Sequence, residues 1–256
     1  MQKLTIKNRK NQNIIVVVEQ AEKQKGLAFV MHGNASNKDL AQIKTFTQVF
    51  KENGYTAIRF DTTNSSGESD GKIEDATFTN YYEDLEDVIS WASKENFYQE
   101  PFILCGHSMG SMCVAYFAEK YLERVKALAL ISTVISGRLS EQTAEFKMIA
   151  KDWEEKGVRE WTSLSMPGIT KRLKWQHVLD KRKYDLLPEA NNLNMPVLLI
   201  AGDRDDVTPL DQQKMLYEKL PGKKELHVIK NAPHSFGKQN ELEEIYQTMD
   251  KWIKSL

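Results

Sequence analysis

Short apolar runs alternate with longer amphipathic segments along most of the chain. The runs Ile14–Val18, Leu27–Met31, Ala57–Phe60, Pro101–Cys105, Ala127–Ile131, Val197–Ala201 and Leu226–Ile229 are rich in Val, Ile, Leu and Ala and mostly unbroken by polar residues. Strands buried on both faces of a parallel sheet have this pattern. Between them, Lys38–Glu52, Thr79–Lys94, Met109–Tyr121, Asp211–Lys219 and Leu242–Ile253 space apolar residues three or four apart, as in Val88, Trp91 and Ala92, and predict helices. The alternation predicts an α/β fold, a mostly parallel central sheet flanked by helices. From Ser136 to Glu189 the rhythm breaks. No strand is predicted there, and the helix-like runs are rich in charge and carry Trp153, Trp161 and Trp175, three of the five tryptophans. The economical reading is a helical cap, 136–189, inserted into a core made of 1–135 and 190–256.

Composition narrows the function more than the fold. The 256 residues suit one sizeable core, and 41% hydrophobic against 28% charged residues is an ordinary globular balance. A formal net charge of −1 lacks the basic excess that nucleic acid or an anionic membrane usually demands. No apolar stretch approaches the ~20 residues of a membrane helix. Met1 to Gln12 is polar, with no apolar h-region. The two cysteines, Cys105 and Cys113, are too few for a disulfide framework. The expectation is a cytoplasmic protein that acts on a small molecule, without nucleic acid, stable membrane insertion, metal or cofactor.

The chemistry concentrates at Gly106-His107-Ser108-Met109-Gly110, between a predicted strand and a predicted helix. That is G-x-S-x-G in the strand–turn–helix context of a nucleophile elbow. The sharp turn leaves room for little side chain beside it, and the serine sits at a helix N-terminus, where amides favour developing negative charge. A serine hydroxyl needs a base to take its proton. Of the five histidines, His107 and His32 lie inside tight motifs and read as structural, His177 falls in the insertion and His227 in a predicted strand. His234 lies in the loop Asn231-Ala-Pro-His-Ser-Phe236 after a strand, where an open α/β sheet builds its site. The orienting carboxylate is expected on Gly202-Asp-Arg-Asp-Asp-Val-Thr-Pro209, and spacing alone leaves Asp203, Asp205 and Asp206 open.

From Gly26 onward the chain resembles the α/β-hydrolase superfamily, in particular small bacterial serine esterases, monoacylglycerol-lipase-like enzymes and the cinnamoyl (feruloyl) esterase type. Met31-His-Gly-Asn34, Asp61 to Ser69, the elbow, and the acid and histidine loops carry the likeness. The resemblance implies a serine esterase with no cofactor and the catalytic set Ser108, Asp205 and His234. Asp205 is chosen because Gly202, Asp205 and Pro209 fit the family's G-x-x-D-x-x-x-P. It also implies an oxyanion hole of the backbone N–H groups of Asn34 and Met109. Three positions depart from the pattern: Asn34 stands where many relatives carry an aromatic residue or glycine, Ser111 replaces a common second glycine, and Ser65-Ser66-Gly67-Glu68-Ser69 lacks the first glycine of G-x-G-x-S.

The cap tryptophans Trp153, Trp161 and Trp175, with Met148, Leu164 and Met166, are expected either to line an acyl or aromatic pocket or to form the cap's own core. Two basic runs, Lys171, Arg172, Lys174 and Lys181, Arg182, Lys183, are a solvated face or a steering patch for an anionic substrate. The expected activity is hydrolysis of short- to medium-chain or aromatic esters. The alternatives are amide, peptide, thioester or C–C hydrolysis on the same triad, or a fold kept only to bind a small molecule.

Overall fold

The computed structural model describes all residues except 163–167 and 169. Its main sheet has eight strands in the order β1-β2-β4-β3-β5-β6-β9-β10. The strands are β1 (Gln2–Lys7), β2 (Asn13–Glu19), β3 (Gly26–Met31), β4 (Tyr55–Phe60), β5 (Phe102–His107), β6 (Val125–Ile131), β9 (Val197–Gly202) and β10 (Lys224–Ile229). β1 pairs antiparallel with β2, and β2 with β4; every pairing from β4 to β10 is parallel. All residues of β3, β4, β5 and β9 are buried, as expected of strands covered on both faces.

Alternation along the strands divides the core in two. Leu27, Phe29 and Met31 join one cluster with side chains of α2 (Phe78–Ala92), α3 (Met109–Lys120) and α7 (Leu210–Lys219). Ala28 and Val30 join the other, with α1 (Ala41–Glu52) and α8 (Gln239–Lys254). Each predicted strand and helix is found, with its ends shifted by a few residues. β1 was not foreseen: only Ile6 of its six residues is buried, so it presents no apolar run.

The insertion between β6 and β9 holds α4 (Gly137–Ser140), α5 (Ala144–Lys156) and α6 (Gln176–Lys181), and it corrects the expectation of an all-helical cap. β7 (Val158–Thr162) and β8 (Thr170–Lys174) form an antiparallel pair. β8 reads Thr-Lys-Arg-Leu-Lys and buries only its second and fourth residues. One of those is a lysine, so the period-two signal is masked by charge.

Candidate active site

β5 ends at His107 and α3 begins at Met109, so Ser108 alone makes the turn, at φ 57° and ψ −120°. Both neighbouring glycines are required by close approach. A Cβ on Gly106 would come within 2.5 Å of the Gly110 carbonyl carbon, and one on Gly110 within 2.4 Å of the His32 carbonyl oxygen. Ser111, where relatives carry glycine, ties the elbow to β6. Its hydroxyl reaches the carbonyls of Gly106 and of Ile131 (3.1 Å) and accepts from the Ile131 amide at 3.0 Å.

The loops that follow β3, β5, β9 and β10 meet at the C-terminal edge of the parallel strands. His234 Nε2 lies 2.9 Å from Ser108 Oγ, and His234 Nδ1 lies 2.9 Å from Asp205 Oδ2. A proton on Nδ1 satisfies both bonds: Nδ1–H donates to Asp205, and the serine hydroxyl donates to Nε2. Asp205 also accepts from the amides of Val207 and Thr208 and from the Thr208 hydroxyl, at 3.0, 2.8 and 2.7 Å. Burial pushes this carboxyl up, but the bonds from His234 and Thr208 outweigh it and hold it at about 2. Of the three carboxylates on this loop, Asp203 is exposed and accepts from the Asn231 amide, pinning the two loops together, while Asp206 points to solvent. Only Asp205 meets His234.

Three further residues support this chain: Thr208, for which no role was expected, and His107 and His32, expected to be structural. Thr208 Oγ1 stands 3.2 Å from His234 Nδ1 and fixes the ring edge alongside Asp205. His107 Nε2 donates to the His234 carbonyl at 2.9 Å; burial first, then the neighbouring His234, lowers its pKa to about 3, so it stays a neutral donor. His32 is buried, which lowers its pKa; its Nδ1 donates to the Gly33 carbonyl at 2.8 Å and its Nε2 accepts from the Thr62 amide at 3.1 Å. In a trans peptide the C=O and N–H point opposite ways, so holding the Gly33 carbonyl aims the Asn34 N–H away from His32. Among the described residues neither the Asn34 nor the Met109 amide has a hydrogen-bond partner. No side chain fits at Gly33, where a Cβ would lie 3.0 Å from Ser108 Cβ.

Comparison with known proteins places this geometry in a family. A family model described as serine aminopeptidase, S33 (Hydrolase_4), matches residues 22–185. The chain belongs to this family of α/β-hydrolases. A second model, PhoPQ-activated pathogenicity-related protein, matches residues 132–256. The hydrolase is 24% identical over 236 residues to bovine mitochondrial palmitoyl-protein thioesterase ABHD10, covering 91% of this chain and 74% of that one. It is 27% identical over 239 residues to an uncharacterized 31.7 kDa protein from Escherichia coli, covering 81% and 82%. Among solved structures, Est1E from Butyrivibrio proteoclasticus with bound ferulic acid superposes with a TM-score of 0.82 at 18% identity, covering 98% of each chain. Mouse ABHD10 superposes at 0.80 and 20% identity, covering 100% of this chain and 99% of that one.

In this hydrolase the loop after β3 is anchored by charge. Lys38 is buried, and its ammonium meets Asp61 at 2.9 Å, Glu68 at 2.6 Å and Asp39 at 3.0 Å. Lys38 thus joins the loop carrying Asn34 to the loop Asp61–Ser69, whose Gly67 packs on the Asp61 carboxylate too closely for a Cβ. The cap residues fall elsewhere. Trp153 and Trp175 pack on one another at 5.5 Å and on Phe146, and Trp153 Nε1 donates to the Leu173 carbonyl, so both belong to the cap's interior. Trp161 lies with Met148 along an outer groove between α5 and β7, and Met148 is exposed. Leu164 and Met166 lie outside the described residues. Among the described residues no group of His, Cys, Asp or Glu is arranged to hold a metal ion.

Proposed function

We propose that this hydrolase cleaves carboxylic esters through an acyl-enzyme on Ser108, with His234 as general base and acid and Asp205 as the orienting carboxylate. The observation that carries the reading is the unbroken hydrogen-bonded chain Ser108–His234–Asp205, two contacts of 2.9 Å joined by a single tautomer. In the first half-reaction His234 Nε2 takes the hydroxyl proton as Ser108 Oγ attacks the ester carbonyl carbon. The developing oxyanion sits against the Asn34 and Met109 N–H groups, and the imidazolium is stabilised by the ionised Asp205. Collapse expels the alcohol, which leaves with the proton from His234. In the second half a water molecule gives a proton to His234 as it attacks the acyl-enzyme, and collapse releases the acid while His234 returns that proton to Ser108 Oγ.

A thioester is the second reading, favoured by the likeness to ABHD10, named a palmitoyl-protein thioesterase. The same groups serve both, since a thiolate leaves more readily than an alkoxide. A panel of p-nitrophenyl esters of rising chain length, matched acyl thioesters and p-nitroanilides separates the cases. Ester turnover is expected and anilide turnover is not; anilide turnover without ester turnover would overturn the assignment, and thioester turnover alone would move it to the second reading.

A further inference from the structure

The first turn of α7 carries two buried glutamines, Gln212 and Gln213, where a helix lying on a sheet would pack apolar side chains as it does at Leu216. Gln212 Nε2 donates to the Leu139 carbonyl of the cap at 3.1 Å. Gln213 turns toward the catalytic loops. Its Oε1 accepts from the Thr133 N–H at 3.2 Å, and its Nε2 donates to the carbonyls of Thr133 at 2.8 Å and of Thr208 at 3.3 Å. A side-chain amide presents acceptor and donor together, so it pairs with the N–H and C=O of one residue as a neighbouring strand would. Among the described residues the Thr133 N–H and C=O have no other partner. Gln213 and Thr133 are 0% exposed and Thr208 1%, so an apolar residue at 213 would leave buried backbone groups that water cannot reach.

The two segments joined in this way carry the two halves of the triad. Thr133 lies in the stretch that brackets the nucleophile: the Ser108 N–H donates to the Ile131 carbonyl at 2.9 Å, and the Ser108 carbonyl accepts from the Val134 N–H at 3.3 Å. Thr208 lies against the acid and the base. Its N–H and hydroxyl donate to Asp205 at 2.8 and 2.7 Å, and its Oγ1 stands 3.2 Å from His234 Nδ1. We propose that Gln213 is a positioning residue for the triad: its amide fixes the segment that holds Ser108 against the segment that holds Asp205 and His234. It acts through Thr133 and Thr208, not on the reacting atoms. The proposal rests on the acyl-enzyme mechanism and deepens it. A catalytic group displaced by about 1 Å can lose about 10²-fold in rate, so a bond set joining both halves bears directly on kcat.

The test replaces each glutamine with methionine, which keeps the bulk of the side chain and removes the amide. Rates on p-nitrophenyl butyrate are normalised to the folded fraction read from urea unfolding. Gln213→Met is expected to lower kcat roughly 10- to 100-fold with KM changed less than about threefold, the pattern of lost alignment in the transition state. Gln212→Met removes a buried bond one residue away and should keep kcat within about threefold of wild type. A second measurement needs no substrate. The His234 Nδ1–H proton, held against Asp205, should give a far-downfield NMR resonance, assigned by its loss in His234→Ala. It should shift or exchange away in Gln213→Met and stay in place in Gln212→Met. Where the ester is cleaved, kcat decides. An unchanged kcat in Gln213→Met would overturn the proposal, and so would an equal loss in both variants, the mark of a generally loosened α7. If Gln213→Met does not fold, Gln213→Glu at alkaline pH, with the acceptor kept and both donors lost, is read in its place. Failure of both to fold would assign the side chain to stability alone and overturn the positioning role. Where no ester is cleaved, the resonance decides: a change confined to Gln213→Met keeps the positioning role while the ester reading falls, and an unmoved resonance sinks both.

Discussion

Ser108 holds φ 57° and ψ −120°, a region that residues with a Cβ rarely enter and that costs of order 1–3 kcal/mol. That strain is held in place by the close fit of Gly106 and Gly110 against their neighbours and by Ser111 bridging the elbow to β6. His234 is constrained from three sides, by Asp205 and Thr208 at Nδ1 and by His107 at its carbonyl. On the proposed mechanism the carboxylate sets the tautomer. Asp205→Asn would offer Nδ1 a donor, leave the folded geometry intact, and lower kcat by about 10⁴-fold, as such a swap does in other serine hydrolases. Steady-state kinetics on a p-nitrophenyl ester checks this, and a loss under tenfold would mean that Asp205 does not orient the base. Motif and loop position pointed to Ser108 and His234, and family resemblance to Asp205. His107 and His32 were legible as structural, but not their partners, and Thr208 was not legible at all, because these roles depend on contacts between residues as much as 127 positions apart, which no local pattern encodes.

At the scale of elements, strands with continuous apolar runs were legible, and those that hide polar residues were not. β1 is an edge strand with one buried side chain, β8 carries charge on three of its five positions, and β7 on two of its five with none of them fully buried. The loops need their own anchors. The one after β3 carries the proposed oxyanion donor Asn34 and is fastened by Lys38 to Asp61 and Glu68. Lys38 and Asp61 are 1% and 0% exposed, so removing the cation alone leaves a buried carboxylate without its counter-ion. Lys38→Ala is therefore expected to cost about 3–5 kcal/mol of stability. Chemical denaturation measures it; a cost below about 1 kcal/mol would show that the pair contributes no more than a surface salt bridge.

Across the whole molecule, one acid works against the fold at alkaline pH. Glu119 on α3 has a buried Oε1 without a partner among the described residues; burial, with Glu189 and Asp185 adding repulsion, pushes its carboxyl up to about 8 from an ordinary 4.5. The folded chain then holds a proton that the unfolded chain has released, so stability falls as pH rises from about 4.5 through 8. Glu119→Gln removes this dependence. It should be near neutral at pH 5 and stabilising by about 2–4 kcal/mol at pH 9. Urea unfolding of both proteins at the two pH values decides it, and a difference that does not grow with pH would contradict it. The central claim concerns Ser108 itself. Purified protein should be labelled strongly by a fluorophosphonate probe, and Ser108→Ala and His234→Ala should each abolish the labelling. Folded wild-type protein that takes no label, or a His234→Ala variant that labels as fast as wild type, would contradict an activated serine at this elbow.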